Sequence, residues 1–432
     1  MAHLPGNVLG CTHSARGALD VSDTRCAMTN LSSAPLTAAA THRGPSHLFL
    51  AVTVMVVAAN LRPTITSLGP LIERVGSDTG LSASALGVLG ALPLLTFGLV
   101  SPLVHRLSER FGADRAIFGA LLLLSIGTVV RSLPGFSAGL WAGTVFLAAA
   151  IAVGNVLMPA IVKRDFPQKV SLMTGVYTAF MGGVAALASG VAVPIANAVD
   201  WELALGIWAI PAAIAAGVWA MRLRGSQDAR PIRVAEAPRS GRSMWTSTVA
   251  WQVAMGMALQ SSVFYLIITW LPSIEASHGV GESVAGWHLF IFQIGGIVAG
   301  LATGGILHRA TDQRAVGAVI AVMMVIAMLG LVITPGFIII WATLAGLSAG
   351  GSIVVSLTLM SVRARTLQES SQLSGMSQSV GYLIASLGPI TAGLLYELTG
   401  SWTPPLIFAA CLATGQGVFM VLAGRNRFTH AE

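Results

Sequence analysis

The sequence predicts an all-α membrane protein: twelve transmembrane helices in two pseudo-symmetric six-helix halves. Three observations carry that prediction. Only 9% of the 432 residues are charged, and the mean hydropathy is +0.78. Apolar runs long enough to cross a bilayer recur along the chain. Positive residues gather in alternate connections between those runs.

A soluble domain carries about a quarter charged residues. Lipid must therefore solvate much of this chain's surface. A run of about 20 apolar residues crosses the hydrocarbon core as a helix. In the first half the runs cover 48–72, 83–104, 116–133, 138–162, 172–196 and 203–221. The stretch 222–242 is too charged to enter lipid. Six further runs begin near Thr248, Val284, Val316, Gly336, Leu373 and Pro404. The chain thus divides into a leader (1–46), a first half (47–222), a central loop (223–245), a second half (246–424) and a tail (425–432). The leader is polar and lacks the uninterrupted apolar core of a signal peptide. It is expected to be disordered and cytoplasmic, and Met28 is an alternative start.

A net charge of +7 and a pI near 10.0 would suit a nucleic-acid partner. The placement of the charges argues for membrane topology instead. With both termini cytoplasmic, all but three of the 24 Lys and Arg residues fall in cytoplasmic segments. The exceptions are Arg62, inside a span, and Arg74 and Arg131, on the other side. Positive residues hold loops on the cytoplasmic side. Omitting any one helix would scramble the alternation. The expected location is the bacterial inner (plasma) membrane, multi-pass. Cys11, Cys26 and Cys411 form no disulfide or metal-binding pattern. No cofactor, metal or nucleic acid is expected; the partners are a small-molecule solute and the lipid bilayer.

The halves echo each other at an offset of roughly 200 residues, as duplicated transporter halves do. Trp201 opens the sixth helix and Trp402 the twelfth. Lys163 precedes Gly175 by the interval that separates Arg363 from Gly375. His105-Arg106 ends the second helix and His308-Arg309 the eighth. Asn60 in the first helix maps onto Gln260 in the seventh. Two halves facing the same way place a substrate site near the midplane between them.

These features resemble the major facilitator superfamily and, within it, the cyanate/nitroimidazole transporter family. The resemblance covers about 48–424. It rests on Asn60-Leu61-Arg62-Pro63, and on Gly154-Asn155-Val156-Leu157-Met158-Pro159 running to Lys163-Arg164-Asp165-Phe166-Pro167. Leu259-Gln260-Ser261, Phe264-Tyr265 and Trp270-Leu271-Pro272 add to it. It implies the major facilitator fold, alternating access, a monomer, and solutes like cyanate or nitroimidazoles. The superfamily's loop motif is degenerate here, reading His105 to Gly112 and Gly304 to Thr311. The usual charge relay between helices is accordingly not expected. The drug–proton antiporter signature is missing from the fifth helix, and Gly388-Pro389 with Gly393 echoes it only partly.

Arg62 is the sharpest signal. It lies about fourteen residues into the first helix, or roughly 21 Å along it at ~1.5 Å per residue. A central arginine costs about 2.5–3.5 kcal/mol on insertion scales, so it should face a cavity or a partner. No carboxylate is expected inside any span, which leaves an anionic or polarised substrate as that partner. A guanidinium suits cyanate, nitro or carboxylate oxygens. The alternative is a structural arginine bonded to carbonyls freed by Pro63. Asn60, Gln260, Asn155, Gln293 and Gln378 are amides that contact substrate or simply join helices. Tyr265 and Tyr382 are expected to line the site. Trp270 reads better as an interfacial anchor. His288 is either a proton-coupling group or a neutral residue bonded between helices.

The function expected is secondary active transport of a small polar or anionic solute. A multidrug or toxic-compound exporter is the alternative. No Walker loop appears, so the chain is not an ATP-driven pump. No HExxH pattern or paired acid–base set lies in a span, so it is not expected to be an enzyme. The central loop is too short for a receptor's output domain.

Overall fold

The structure, a computed structural model, describes residues 46–225, 243–309, 312–425 and 427–429. The expected leader (apart from Ser46), most of the central loop and the last residues of the tail lie outside the described residues. Among the described residues, twelve helices are long and apolar enough to cross a membrane. The first six are His47–Thr79, Ala83–Phe111, Ala113–Arg131, Ser137–Asp165, Leu172–Ala198 and Trp201–Arg224. The second six are Thr248–Ala276, Glu282–Arg309, Arg314–Ile333, Pro335–Val362, Glu369–Thr399 and Thr403–Ala423. They are called the first to twelfth spans below. The sequence runs fall inside them, except that the third, 116–133, ends two residues past Arg131, and the observed helices extend past the apolar core by up to a few turns.

The first span is broken. A regular helix covers His47–Ala58, a short one Pro63–Thr66, a 3-10 turn Gly69–Leu71, and a final helix Ile72–Thr79. Pro63 donates no backbone hydrogen bond and disfavours helical geometry in the residue before it. Arg62 accordingly leaves the helical region, at φ −130° and ψ −36°. The break thus falls at the one arginine within the sequence's first apolar run. The eleventh span also bends, between Ala385 and Leu387, just before Gly388-Pro389.

In the first half the third span packs on the fourth and sixth, and the second on the fourth. In the second half the eighth and ninth spans pack on the tenth, and the seventh and ninth on the twelfth. The halves meet along two seams. The second span lies against the eleventh, and the fifth against the eighth.

The two ends of the bundle differ. One end carries the basic clusters around Arg106, Lys163, Arg309 and Arg363, and is called the basic end. At the far end, one apolar core draws on both halves, joining Leu68, Ile72 and Leu89 to Ile268, Leu271 and Leu289. The backbones approach closely there. A side chain at Gly69 would collide with the Ile268 carbonyl, and a Cβ at Gly87 would lie 2.6 Å from Pro389 O. Polar ties cross the same end. Arg74 Nε donates to Glu282 Oε2 at 2.7 Å, and Arg74 also bonds Asn197. The Ser84 backbone N–H donates to Glu397 at 2.9 Å. Near the basic end, by contrast, Gly175 and Gly375 face open space. The bundle is sealed at the far end and open toward the basic end.

Candidate functional site

A cavity of about 350 Å³ lies between the halves. The first, fifth, seventh, eighth, tenth and eleventh spans all contribute to its wall. It extends toward the basic end past Thr174, Gly300 and Val354.

Arg62 lines this cavity and is half-buried. The break in the first span frees it from the helix surface and turns it to the interior. Its guanidinium has no hydrogen bond or ion pair among the described residues, and no carboxylate lines the cavity. The alternative, a guanidinium bonded to carbonyls freed by Pro63, is not what the structure shows: the Arg62 side chain makes no hydrogen bond among the described residues.

Four further expected residues reach the cavity: Gln260, Tyr265, Gln293 and Tyr382. Tyr382 lies within electrostatic range of both Arg62 and Tyr265, and all three line the cavity. Gln260 Nε2 donates to Ser261 Oγ at 2.7 Å. Gln293 Nε2 donates to Ser189 Oγ at 2.8 Å, so it also ties the eighth span to the fifth. Both amides retain a carbonyl oxygen as acceptor.

Other expected residues are not brought to the cavity. Asn60 is 3% exposed, and Nδ2 donates to Val56 O at 2.8 Å and Pro211 O at 3.3 Å. It joins the first span to the sixth. Its repeat partner Gln260 faces the cavity because the seventh span stays helical where the first one breaks. Asn155 is half-buried on the fourth span, away from this wall. Gln378 bonds Ser374 on its own helix at 3.0 Å. Trp270 is 2% exposed and donates to Pro389 O at 3.0 Å, with its ring 5.2 Å from Trp402. It is a buried strut of the far end, and the reading as an interfacial anchor is corrected.

The acidic residues lie toward helix ends, as expected, but one of them is fully buried: Glu275. It lies in the last turn of the seventh span and is 0% exposed. Glu275 Oε2 is 2.9 Å from His288 Nδ1, while Oε1 has no partner. His288 therefore sits at the sealed end, bonded to the neighbouring helix, and does not line the cavity. Sequence reasoning missed the pairing because the two residues sit on consecutive helices whose rotation the sequence does not display.

A charge network without any residue of the degenerate loop motif fastens the basic end. Arg164 Nη1 bonds Asp114 Oδ2 at 2.5 Å, and Arg164 Nε bonds Asp165 Oδ1 at 2.8 Å. Arg222 joins Asp114 at 3.0 Å and Asp165 at 2.6 Å. The third, fourth and sixth spans are thus fastened at the basic end, despite the degenerate loop motif. Arg164 and Asp165 stand in the segment after Pro159 that carries the family resemblance, where the sequence does not show their pairing with Asp114 and Arg222. The apolar and aromatic part of the wall was also missed in part. Phe264 packs edge-on to Tyr265 at 5.2 Å and tilts over Phe292 at 5.8 Å.

A broken first helix, two six-helix halves and a central cavity open at one end define a secondary transporter of the alternating-access kind. The chain belongs to the Major Facilitator Superfamily, which it matches over residues 48–389. It is 37% identical to the 2-nitroimidazole transporter of Escherichia coli, over 89% of this chain and 97% of that protein. It is 26% identical to the cyanate transport protein CynX of the same organism, over 87% and 97% of the two chains. These place it with the cyanate/nitroimidazole transporters. The crystal structure of a D-xylose–proton symporter superposes with a TM-score of 0.74 at 14% identity, covering 87% of this chain and 97% of that one. That likeness speaks for the fold alone.

Proposed function

We propose that the protein carries a small, planar, anionic or strongly polarised solute, of cyanate-, nitro- or carboxylate-like chemistry, with Arg62 as its electrostatic anchor. One observation carries this reading: a guanidinium without a counter-charge lines a cavity that contains no carboxylate. A charged group withdrawn from water needs a partner. Here the partner is the solute. Gln260, Gln293, Tyr265 and Tyr382 would add hydrogen bonds, and Phe264 and Phe292 would cover an apolar or aromatic face. The named solutes of two relatives, 2-nitroimidazole and cyanate, fit this chemistry. The site supports carriage and offers no arranged nucleophile or acid–base pair for catalysis.

The basic end is assigned to the cytoplasm on the distribution of Lys and Arg. Both termini are then cytoplasmic, the membrane is the bacterial inner membrane, and the conformation is the one open inward. The protein acts as a monomer without nucleic acid. The proton-coupling role of His288 keeps one route. Protonation would turn its bond to Glu275 into an ion pair at the sealed end.

A multidrug exporter remains the second reading, favoured by the apolar share of the wall around Met257, Phe264, Phe292 and Ile297. Lipophilic cations fit it poorly, since the fixed charge is positive. The test is thermal stabilisation of the purified protein by cyanate, nitrate, 2-nitroimidazole, small carboxylates and cationic drugs. Ligand that binds the native state raises its apparent stability. Stabilisation by an anion or nitro compound in wild type, absent in Arg62→Gln, is expected. Stabilisation by bulky cations alone, equal in both proteins, would overturn the reading.

A further inference from the structure

The third span ends at Arg131, at the end away from the basic loops. A helix-terminal arginine normally reaches water. This one is 2% exposed. Its side chain turns into the protein, where Nη1 donates to Thr64 O at 2.6 Å. Nε and Nη2 are buried with no partner, and so is the hydroxyl of Thr64. Among the described residues no carboxylate pairs with Arg131; Arg74, the other arginine at this end, takes Glu282. Burying a charge without a partner is strongly unfavourable, and an aliphatic residue would end this span without that cost.

Arg131 faces a small enclosed pocket that it lines with Thr64, Thr144, Tyr265 and Thr269. Its volume is about 10 Å³, close to the room one buried water requires. A water can satisfy N–H donors, but it leaves the charge unbalanced. The pocket lies directly behind the seal, where Gly69 meets Ile268 and Gly90 meets Thr269. Tyr265 lines both this pocket and the central cavity. Thr64 follows Arg62 by two residues in the broken first span. The two unpaired arginines therefore occupy consecutive compartments, with Tyr265 as the partition.

We propose that the Arg131 pocket is a second station for a small monoanion, reached from the far face when the seal parts. This rests on the anion reading of Arg62. When the halves rock the other way, the seal that separates Gly69 from Ile268 opens, and the pocket widens beyond its present volume. Arg131 then receives the anion first, through the donors that now lack acceptors. Tyr265 passes it to Arg62. Two guanidiniums in series keep the anion paired along the route without holding it in one deep well.

The test uses the full-length protein in membrane vesicles of both orientations, with cyanate as the probe. KM is measured for entry from the far face and from the basic face. In Arg131→Gln, far-face KM is expected to rise about tenfold or more, the scale of a lost charge-assisted hydrogen bond. Basic-face KM should change less than about twofold, within the scatter of such contacts. Arg62→Gln should raise both, and Arg131→Lys should recover part of the far-face loss. A structural role alone would move the two faces alike, and equal fold-changes in KM at both faces in Arg131→Gln would overturn the proposal. If that variant fails to fold, Thr269→Asp places a carboxylate beside an intact Arg131. It is expected to raise far-face KM by occupying the guanidinium, and an unchanged value sinks the proposal equally. If wild type moves no anion and no nitro compound from either face, the Arg62 reading fails first and this one with it.

Discussion

Arg222 and Arg131 belong to the same half and are comparably withdrawn from solvent, at 5% and 2% exposed. Their surroundings are opposite. Arg222, at the basic end, bonds Asp114, Asp165 and the Thr53 hydroxyl, and stacks over Trp219 at 4.6 Å. Nearly every donor is answered. Arg131, at the far end, meets one backbone carbonyl. Arg62, between them in the cavity, has no hydrogen-bond or ion-pair partner among the described residues. The saturated arginine fastens helices together. The unsaturated ones lie along the path between the halves, where an arriving anion would complete them. The second half repeats the fastening in weaker form. Arg363 bonds Gln313 at 2.5 Å and the Gly424 carbonyl at 3.1 Å, with amide and carbonyl oxygens in place of carboxylates. Burial lowers the Arg363 pKa from its ordinary value, and nearby Asp312 opposes the shift.

The largest effect is expected at the saturated site. Asp114→Ala strips a carboxylate from both Arg164 and Arg222, leaving two arginines to share Asp165. The loss should be about 3–5 kcal/mol, as for other broken buried pairs. A lowered unfolding midpoint in detergent would show it, and an unchanged midpoint would mean that the network fastens nothing. Arg131→Met sharpens the contrast in the other direction. Replacing an unpaired buried charge by an apolar side chain should stabilise the protein by about 1–4 kcal/mol. A drop in stability would instead make Arg131 a structural tie through Thr64. At the cavity, Gln260→Leu keeps the volume but removes one polar contact. A rise of roughly fivefold in KM, about 1 kcal/mol, is the scale for a neutral hydrogen bond; no rise would remove Gln260 from the site. The smallest effect concerns His288. If its bond to Glu275 couples transport to protons, the pH profile of uptake flattens in His288→Ala. A profile identical to wild type would leave the pair as a brace between the seventh and eighth spans.

The span count was legible because each apolar run is bounded by charge, and lipid permits no lipid-facing irregular backbone. Arg62 was legible for the same reason: an arginine inside an apolar run must face inward. Arg131 was not. A basic residue at the end of an apolar run reads as one that reaches water at the membrane surface, and only the packed helices send its side chain inward. The repeat predicted that Asn60 and Gln260 would play matching parts, but Pro63 breaks the first span and turns Asn60 toward Pro211. The Asp114–Arg164–Asp165–Arg222 network escaped notice because its members come from three helices and stand up to about a hundred residues apart.

The sequence by itself determined the solvent, the number of spans and the position of one unpaired charge, since each follows from local hydrophobicity and the cost of burying polar groups. The tertiary structure alone decided which arginines are answered and which remain open. That depends on helix rotation and packing, which place Asp114 beside Arg222 and only the Thr64 carbonyl beside Arg131.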